Sequence, residues 1–317
     1  MAASLCGLTS TVFMPSDASL PKVEATRAYG AAISLDYDSI DSCIVAARAY
    51  AERTGATYVP PFDDPLVVAG QGTAGLEIAA EAPDTGVVVV PVGGGGLISG
   101  IAVALASCAP RTRLIGVEPS GAASMAAALR NGSPVALSTC ETMADGVAVR
   151  EVSELTLEHV QALVDELVTV EEEEISRAVL LLLERCKWVV EPAGALGLAA
   201  LLAGKVPGSD AALAVLSGGN VDPLLLTHLI EHGLTAAGRY LGVRVHLRDR
   251  PGVLAELARI LGELRLNIVT VEHRRSGARV AIGEVEVLLT VETRDPRHRE
   301  QVMEELRARG IRAEILE

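Results

Sequence analysis

Four consecutive glycines followed by a leucine are the residues of this 317-residue chain with the clearest potential for chemistry. They follow the apolar run 87–92 and precede the apolar run 98–105, which predicts a buried strand, a tight loop and a helix. Glycines let a backbone approach an anion closely, and the N–H groups that open a helix favour negative charge. The predicted phosphate-binding residues are Gly93, Gly94, Gly95, Gly96 and Leu97.

The residues next to the glycines limit which phosphate-containing ligand the loop could bind. No lysine follows them, so the segment is not the G-x-x-x-x-G-K-[ST] loop of nucleotide-binding proteins, and the spacing also misses G-x-G-x-x-G. We therefore expect the phosphate of something other than a nucleoside triphosphate. A flexible tight turn is the alternative interpretation.

Composition limits the classes of partner. Half of the residues are hydrophobic and the net charge is −14, which argues against nucleic acid and anionic membrane surfaces. Five scattered cysteines without a C-x-x-C pair favour reduced thiols and a cytoplasmic location. The uncharged run 87–109 is interrupted by Pro91 and the glycines, so we expect no membrane span. The N-terminal residues include no basic segment, so we expect no secretory signal.

Strands and helices are predicted to alternate from residue 10 to residue 232, which favours a parallel α/β sheet. The pattern includes a strand at 57–59, a helix at 70–82, a less regular stretch after 130 and a helix at 171–187. The acidic run 171–174 is typical of a helix start rather than of a metal site. From residue 240 the pattern becomes β-α-β-β-α-β, with a hairpin at Ser276 and Gly277, and it predicts a separate ferredoxin-like domain.

Several motifs in order resemble one known family, the pyridoxal-phosphate-dependent threonine dehydratases (threonine ammonia-lyases), which have the tryptophan-synthase-β-like fold (fold type II). The C-terminal segment resembles an ACT domain. The resemblance implies a small subdomain at 1–62, a large cofactor-binding domain at 63–238 and a regulatory domain at 239–317. The motifs that carry it are Pro21-Lys22-Val23, Thr26 to Ala31, the glycine loop, Gly116 to Pro119, Ala144 to Val147, Glu191 to Ala195, Ser217 to Asn220 and Asp249 to Gly252.

The resemblance also implies roles. The glycine loop would bind the phosphate of pyridoxal 5′-phosphate, and Ser217 would hydrogen-bond the pyridine nitrogen, where a neutral hydroxyl favours β-elimination. Taken alone, without the resemblance, Ser217 is better interpreted as a helix N-cap. Around the ring or substrate would lie Asp145, Gly146 and Glu191, for which an ordinary turn and a first-turn acid are the alternatives. An amino-acid effector would contact Asp249, Gly252, Val253 and Asn267.

The sequence departs from the family pattern in two places. The family's Schiff-base lysine and its asparagine loop belong to a segment that would precede Met1, and Lys22, Lys187 and Lys205 do not match the lysine's context. We therefore expect an N-terminally truncated chain without a lysine to hold the cofactor covalently. Some relatives bind a divalent ion at the positions of Glu118, Ala122 and Ser124; the serine here predicts no metal site, with Glu118 solvated or hydrogen-bonded.

The function implied is conversion of threonine, or serine, to a 2-oxo acid and ammonia, in isoleucine biosynthesis or threonine catabolism. A homo-oligomer regulated by an amino acid at the ACT domain is expected. Two alternatives remain open: a non-catalytic amino-acid-binding protein, which the missing lysine favours, and a serine racemase-like activity.

Overall fold

The computed structural model describes residues 1–18, 20–208, 211–275 and 281–316. These residues form two compact units, Met1–Leu226 and Thr227–Glu317. The division between them falls within the helix Pro223–Ala236. Within the described ranges, no helix is long and apolar enough to cross a membrane.

The first unit is built from alternating helices and strands, as the sequence predicts. Its helices are α1 Ala2–Leu5, α2 Leu20–Ala28, α3 Ile40–Thr54, α4 Pro65–Glu81, α5 Gly96–Cys108, α6 Ser124–Asn131, α7 Glu154–Leu163, α8 Glu172–Leu181, α9 Pro192–Leu202 and the beginning of α10 Pro223–Ala236. Its strands are β1 Thr11–Pro15, β2 Ala32–Tyr37, β3 Val87–Pro91, β4 Arg113–Pro119, β5 Glu166–Val170 and β6 Ala212–Ala214.

The main sheet has the order β5-β4-β3-β6, and all its neighbouring strands are parallel. Strand β3 is completely buried, which explains its run of valines, because a central strand between helix layers has no polar face. In the register, Val89 lies opposite Ala214. The loops that follow β3 and β6 therefore leave the sheet at the same edge, where ligands bind in open α/β sheets.

Within the described residues, a second sheet is formed by β1 and β2, which pair in parallel. Phe13 packs against Tyr37 and Tyr50 between this sheet and α3. The strand predicted at 57–59 is wrong: these residues are irregular, and Val59 is 72% exposed. Their β-branched and aromatic types favour a strand, but no neighbouring strand is placed to pair with them among the described residues.

Helices α4 and α5 approach each other closely through glycines. A Cβ atom on Gly100 would lie 2.3 Å from the Val68 oxygen and 2.5 Å from the Gly72 nitrogen. Helix α4 begins at Pro65, earlier than the predicted residue 70, because the Asp64 carboxylate caps its first turn. The glycine-rich sequence made this helix start difficult to predict.

The stretch after residue 130 is less irregular than predicted, since it contains α7 and the edge strand β5. The predicted helix at 171–187 is α8 followed by a π-helical turn that ends at Lys187, whose φ is 61°. The acidic run opens α8, as predicted: the Glu174 side chain accepts from the Glu171 N–H at 2.8 Å and from Lys205 at 2.7 Å. Although burial acts in the opposite direction, the Lys205 hydrogen bond lowers the pKa of Glu174.

The second unit confirms the predicted ferredoxin-like order. It contains β7 Tyr240–Arg248, α11 Val253–Glu263, β8 Ile268–Arg274, β9 Glu284–Glu292, α12 Pro296–Ala308 and β10 Arg312–Ile315. The sheet order is β10-β7-β9-β8, with antiparallel neighbours, and one face packs on both helices. The predicted hairpin residues Ser276 and Gly277 lie outside the described residues.

Candidate cofactor site

The glycine loop presents a row of backbone donors at the C-terminal end of β3. In the part of the chain that the structure describes, the N–H groups of all five loop residues have no protein acceptor, and the first paired N–H, from Ser99, donates to the Gly95 oxygen at 3.0 Å. All four glycines are buried. Buried, unpaired N–H groups at a helix start are the donor set that binds a phosphate.

Packed neighbours leave no space for a side chain at any of the four glycines, so the loop has a fixed shape. Gly95 has a φ of 90°, which other residues rarely adopt. A Cβ atom at each position would meet a packed neighbour: Val147 Cα at 2.8 Å from Gly93, the Phe62 ring at 2.3 Å from Gly94, Met125 Cε at 2.6 Å from Gly95 and Phe62 Cβ at 2.9 Å from Gly96. The alternative interpretation as a flexible turn does not fit this packing.

A short 3₁₀ turn, Asp145–Val147, lies directly against the loop through the contact between Val147 and Gly93. In the same turn, a Cβ atom on Gly146 would lie 3.7 Å from Glu191 Oε1. The structure therefore brings Asp145, Gly146 and Glu191 to the glycine loop, although 46 residues of sequence separate Asp145 from Glu191.

Glu191 connects this turn to the segment that follows β6. Its N–H donates to the Gly218 oxygen at 3.1 Å, and its carboxylate lies so close to Gly218 that a Cβ there would be 2.1 Å from Oε1. Burial raises the pKa of Glu191, and the negative charge of Asp145 raises it further, while Lys22 opposes the shift. This carboxyl is thus adapted to hold a proton more readily than an exposed glutamate.

Lys22 is a member of this cluster that sequence reasoning did not assign to the site. Its Nζ lies 2.5 Å from Asp145 Oδ2, and the pair joins α2 to the turn beside the glycine loop. The sequence offers no signal for this contact, because 123 residues separate the two partners.

Ser217 lies after β6, at the same edge of the sheet as the glycine loop, and it is exposed. The interpretation as a helix N-cap is wrong. Helix α10 begins at Pro223, and the Asp222 carboxylate accepts the Leu224 N–H at 2.8 Å instead. Among the described residues the Ser217 hydroxyl has no recorded partner, so it can interact with a ligand.

The other two lysines are engaged away from this cluster. Lys187 donates to the Glu184 oxygen at 2.7 Å, and Lys205 donates to the Thr169 oxygen and to Glu174. With Lys22 paired to Asp145, all three lysines of the chain have partners.

Glu118 is hydrogen-bonded, which is one of the two expected states. It is fully buried, and its two oxygens accept the N–H groups of Met125 at 2.8 Å and Ala126 at 2.9 Å. Burial raises the pKa of Glu118 to about 7, although these bonds and Arg130 act against the shift. No group of three potential metal ligands occurs within the described ranges.

The effector residues predicted in the second unit lie at opposite ends of its sheet. Asp249 and Gly252 follow the end of β7, where the Asp249 N–H donates to the Gly283 oxygen. Val253 begins α11 next to them. Asn267 precedes β8, and its side chain donates to Glu292 at 2.8 Å, beside Tyr240 at the start of β7.

Comparisons with known proteins agree with this architecture. The family model of pyridoxal-phosphate-dependent enzymes matches residues 1–218, and that of ACT domains matches residues 242–310. The chain belongs to the pyridoxal-phosphate-dependent enzymes and carries an ACT domain, and within them it belongs with the L-threonine ammonia-lyases. The L-threonine ammonia-lyase of Geobacter sulfurreducens is 46% identical over 99% of this chain and 78% of the relative.

Two solved structures are similar to about three quarters or less of this chain. A threonine deaminase from T.th. is 42% identical, covers 70% of this chain and 73% of its own, and has a TM-score of 0.65. Maize serine racemase is 34% identical, covers 74% and 73%, and has a TM-score of 0.68. The tryptophan-synthase-β-like fold class and the pyridoxal phosphate cofactor predicted from the sequence are confirmed.

Proposed function

We propose that this chain provides the cofactor-binding and regulatory parts of a threonine ammonia-lyase that also accepts serine. The observation that carries the proposal is the 46% identity to a named L-threonine ammonia-lyase over almost the whole chain. The buried donors of the glycine loop suit the phosphate of pyridoxal phosphate, the cofactor that supplies an electron sink for elimination of a β-hydroxyl.

The side chains around the loop have roles that follow from their positions. The loop holds the phosphate, and the free hydroxyl of Ser217 is available to the pyridine nitrogen. Glu191, whose pKa burial raises, would lie beside the bound cofactor, and Asp145 and Lys22 set the charge around it. Gly146 and Gly218 leave the space that Glu191 occupies.

The test measures covalent attachment and turnover separately. The chain is incubated with pyridoxal phosphate, reduced with borohydride and mapped by mass spectrometry, and 2-oxobutanoate and pyruvate are measured with threonine and serine. We expect phosphate-dependent cofactor binding, no stoichiometric lysine adduct and no turnover. A version extended upstream of Met1 by a segment that carries the family's lysine should gain both.

Three results would contradict the proposal. A single adduct at Lys22, Lys187 or Lys205 with threonine turnover would show that the chain needs no further lysine. An extended version that racemises serine without deaminating threonine would favour the racemase alternative, which the similarity to maize serine racemase keeps open. A chain that binds amino acids but no pyridoxal phosphate would favour the non-catalytic alternative.

We further propose that an amino-acid effector binds between two copies of the second unit. Within one copy, Asn267 and Gly252 lie near opposite ends of β7, roughly 26 Å apart for nine residues of strand. No single small molecule can contact both. A site that uses both residues therefore requires a second copy of the domain.

Strand β8 offers the surface for that pairing. It is an edge strand, all of its residues are exposed, and Ile268, Val269 and Val271 present apolar side chains. Strands β7 and β8 run in the same direction, because both are antiparallel to β9. Antiparallel pairing of β8 about a two-fold axis at Val271 would bring Asn267 of one copy to the Asp249 end of the other.

We also propose a cytoplasmic location, because the five cysteines are free thiols. The domain limits at 62 and 238 remain part of the proposal, as does the assignment to threonine catabolism or isoleucine biosynthesis.

A further inference from the structure

We infer that Phe62 is a positioning residue of the phosphate site: its ring lies on the glycine loop and fixes the direction of the N–H donors. The inference deepens the proposed function, since it rests on the phosphate-binding role of that loop. Phe62 touches two of the four glycines, and it comes from the segment that connects α3 to α4 rather than from the loop's own neighbours in sequence.

Gly94 faces the ring of Phe62, whereas Gly96 faces the Cβ and backbone atoms of that residue. A Cβ on Gly94 would lie 2.3–2.4 Å from three ring atoms of Phe62. A Cβ on Gly96 would instead meet Phe62 Cβ at 2.9 Å, its Cα at 3.1 Å and its oxygen at 3.2 Å. Gly94 is therefore required by the ring, and Gly96 is required by the atoms of residue 62 that any substitution other than glycine retains.

The segment that carries Phe62 is itself held at both ends. Asp64 accepts the Leu66 N–H at 2.7 Å and so fixes the start of α4, and Asp63 lies 3.7 Å from Arg48 on α3. Neither Gly94 nor Gly96 has a positive φ, so alanine at either position is limited by contacts and not by backbone strain. The loop holds its shape because Phe62 presses on it from a fixed segment.

The consequence concerns affinity for phosphate more than stability. N–H donors hold an anion well only when they are already directed at it. Without the ring, the loop at Gly94 gains freedom, and the donors on either side lose their common direction. Truncation of Phe62 should therefore weaken the phosphate contribution to binding, while contacts to the rest of the cofactor remain.

The experiment compares pyridoxal 5′-phosphate with pyridoxal, which lacks the phosphate, by equilibrium dialysis on the full chain. The dissociation constant of pyridoxal divided by that of pyridoxal 5′-phosphate measures the phosphate contribution to binding. Loss of one directed hydrogen bond to a charged group costs about tenfold, so Phe62→Ala should lower the ratio by about tenfold. Phe13→Ala, which removes the only other phenylalanine, should leave the ratio at its wild-type value.

A double-mutant cycle then tests the ring itself. Gly94→Ala should lower the ratio in the wild-type background and have little further effect beside Phe62→Ala, because the clashing ring is gone. Gly96→Ala should remain harmful in both backgrounds, since its clash is with the backbone and Cβ of residue 62. If the alanine variant unfolds, Phe62→Leu replaces it for the ratio alone and not for the cycle, because leucine keeps a γ-carbon where Gly94 meets the side chain of residue 62.

The failures are distinguishable. A wild-type chain that does not prefer pyridoxal phosphate over pyridoxal would remove the phosphate assignment of the loop, and this inference with it. A wild-type preference that persists unchanged in Phe62→Ala, or additive effects of Gly94→Ala and Phe62→Ala, would overturn the role of Phe62 and leave the loop assignment intact.

Discussion

Single residues at this site have properties that their sequence neighbours do not reveal. Glu191 is a first-turn acid by sequence, yet its carboxyl lies against Gly218 and shares its surroundings with Asp145 and Lys22. Phe62 has no periodic pattern that links it to Gly94. The glycine run could be read from the sequence because its chemistry is local, whereas the partners that shape it are brought together only by the fold.

Glu118 provides a prediction at the residue scale. Its folded pKa of about 7 lies above the ordinary value of 4.5, so the folded state holds the proton more tightly than the unfolded chain. The stability gained is fully present below pH 4.5 and is lost as the pH rises through 7. Between pH 5 and 8 the free energy of unfolding should therefore fall, by at most roughly 3 kcal/mol from this group.

The control is Glu118→Gln, which stays neutral at every pH. Urea denaturation at pH 5, 6, 7 and 8 can be followed by the fluorescence of Trp188, the only tryptophan, which lies in the first unit. The glutamine variant should have the flatter profile, even if it is less stable at pH 5 because an amide offers only one acceptor to two N–H groups. Parallel profiles for the two proteins would refute the assignment.

At the scale of elements, sequence patterns predicted the strand–loop–helix unit and the β-α-β-β-α-β domain, since both depend on local periodicity and glycine positions. The failures share a cause. Residues 57–59 have strand-forming types but no partner, and β5 is a partly exposed edge strand whose assignment depends on β4 beside it. Pairing decides both, and pairing is not encoded in a window of residues.

Two glycines in the α4–α5 pair provide a prediction at this scale. Alanine at Gly100 would place its Cβ 2.3 Å from the Val68 oxygen, so overpacking should lower the free energy of unfolding by about 1–3 kcal/mol. Alanine at Gly70, also inside a helix, meets nothing within 4 Å and should raise it by up to about 1 kcal/mol.

The two variants should change the free energy of unfolding in opposite directions, although both are the same glycine-to-alanine substitution in a helix. Trp188 fluorescence in urea reports the first unit for both variants. Similar effects of the two substitutions would mean that α4 and α5 are not packed through Gly100.

At the scale of the whole molecule, the chain combines a cofactor-binding unit with a unit that the sequence identified as separate by its change in pattern near residue 240. The roles of the predicted effector residues could not be judged from sequence, because strand direction decides which ends of the sheet they occupy. Their separation within one copy is what makes a two-copy site a specific expectation.

That expectation can be tested by mixing two defective forms of the full chain. Asn267→Ala removes the amide at one end of the site, and Gly252→Val strains the turn at the other, where φ is 85°. Each variant alone should bind isoleucine, valine, leucine or threonine at least about tenfold more weakly than wild type. The measurement is isothermal titration calorimetry with each amino acid, after circular dichroism has established that both variants are folded.

Mixing the two variants and allowing subunits to exchange should restore binding in part. A heterodimer combines both defects in one of its two sites and leaves the other site with an intact Asn267 from one copy and an intact Gly252 from its partner. With equal amounts and free exchange, half of the dimers are mixed, so roughly a quarter of the wild-type sites should reappear with wild-type affinity. Val271→Lys, at the centre of the exposed strand, should abolish both the dimer and the recovery. If the mixture binds no better than either variant although subunits exchange, the effector does not lie between two copies of the second unit.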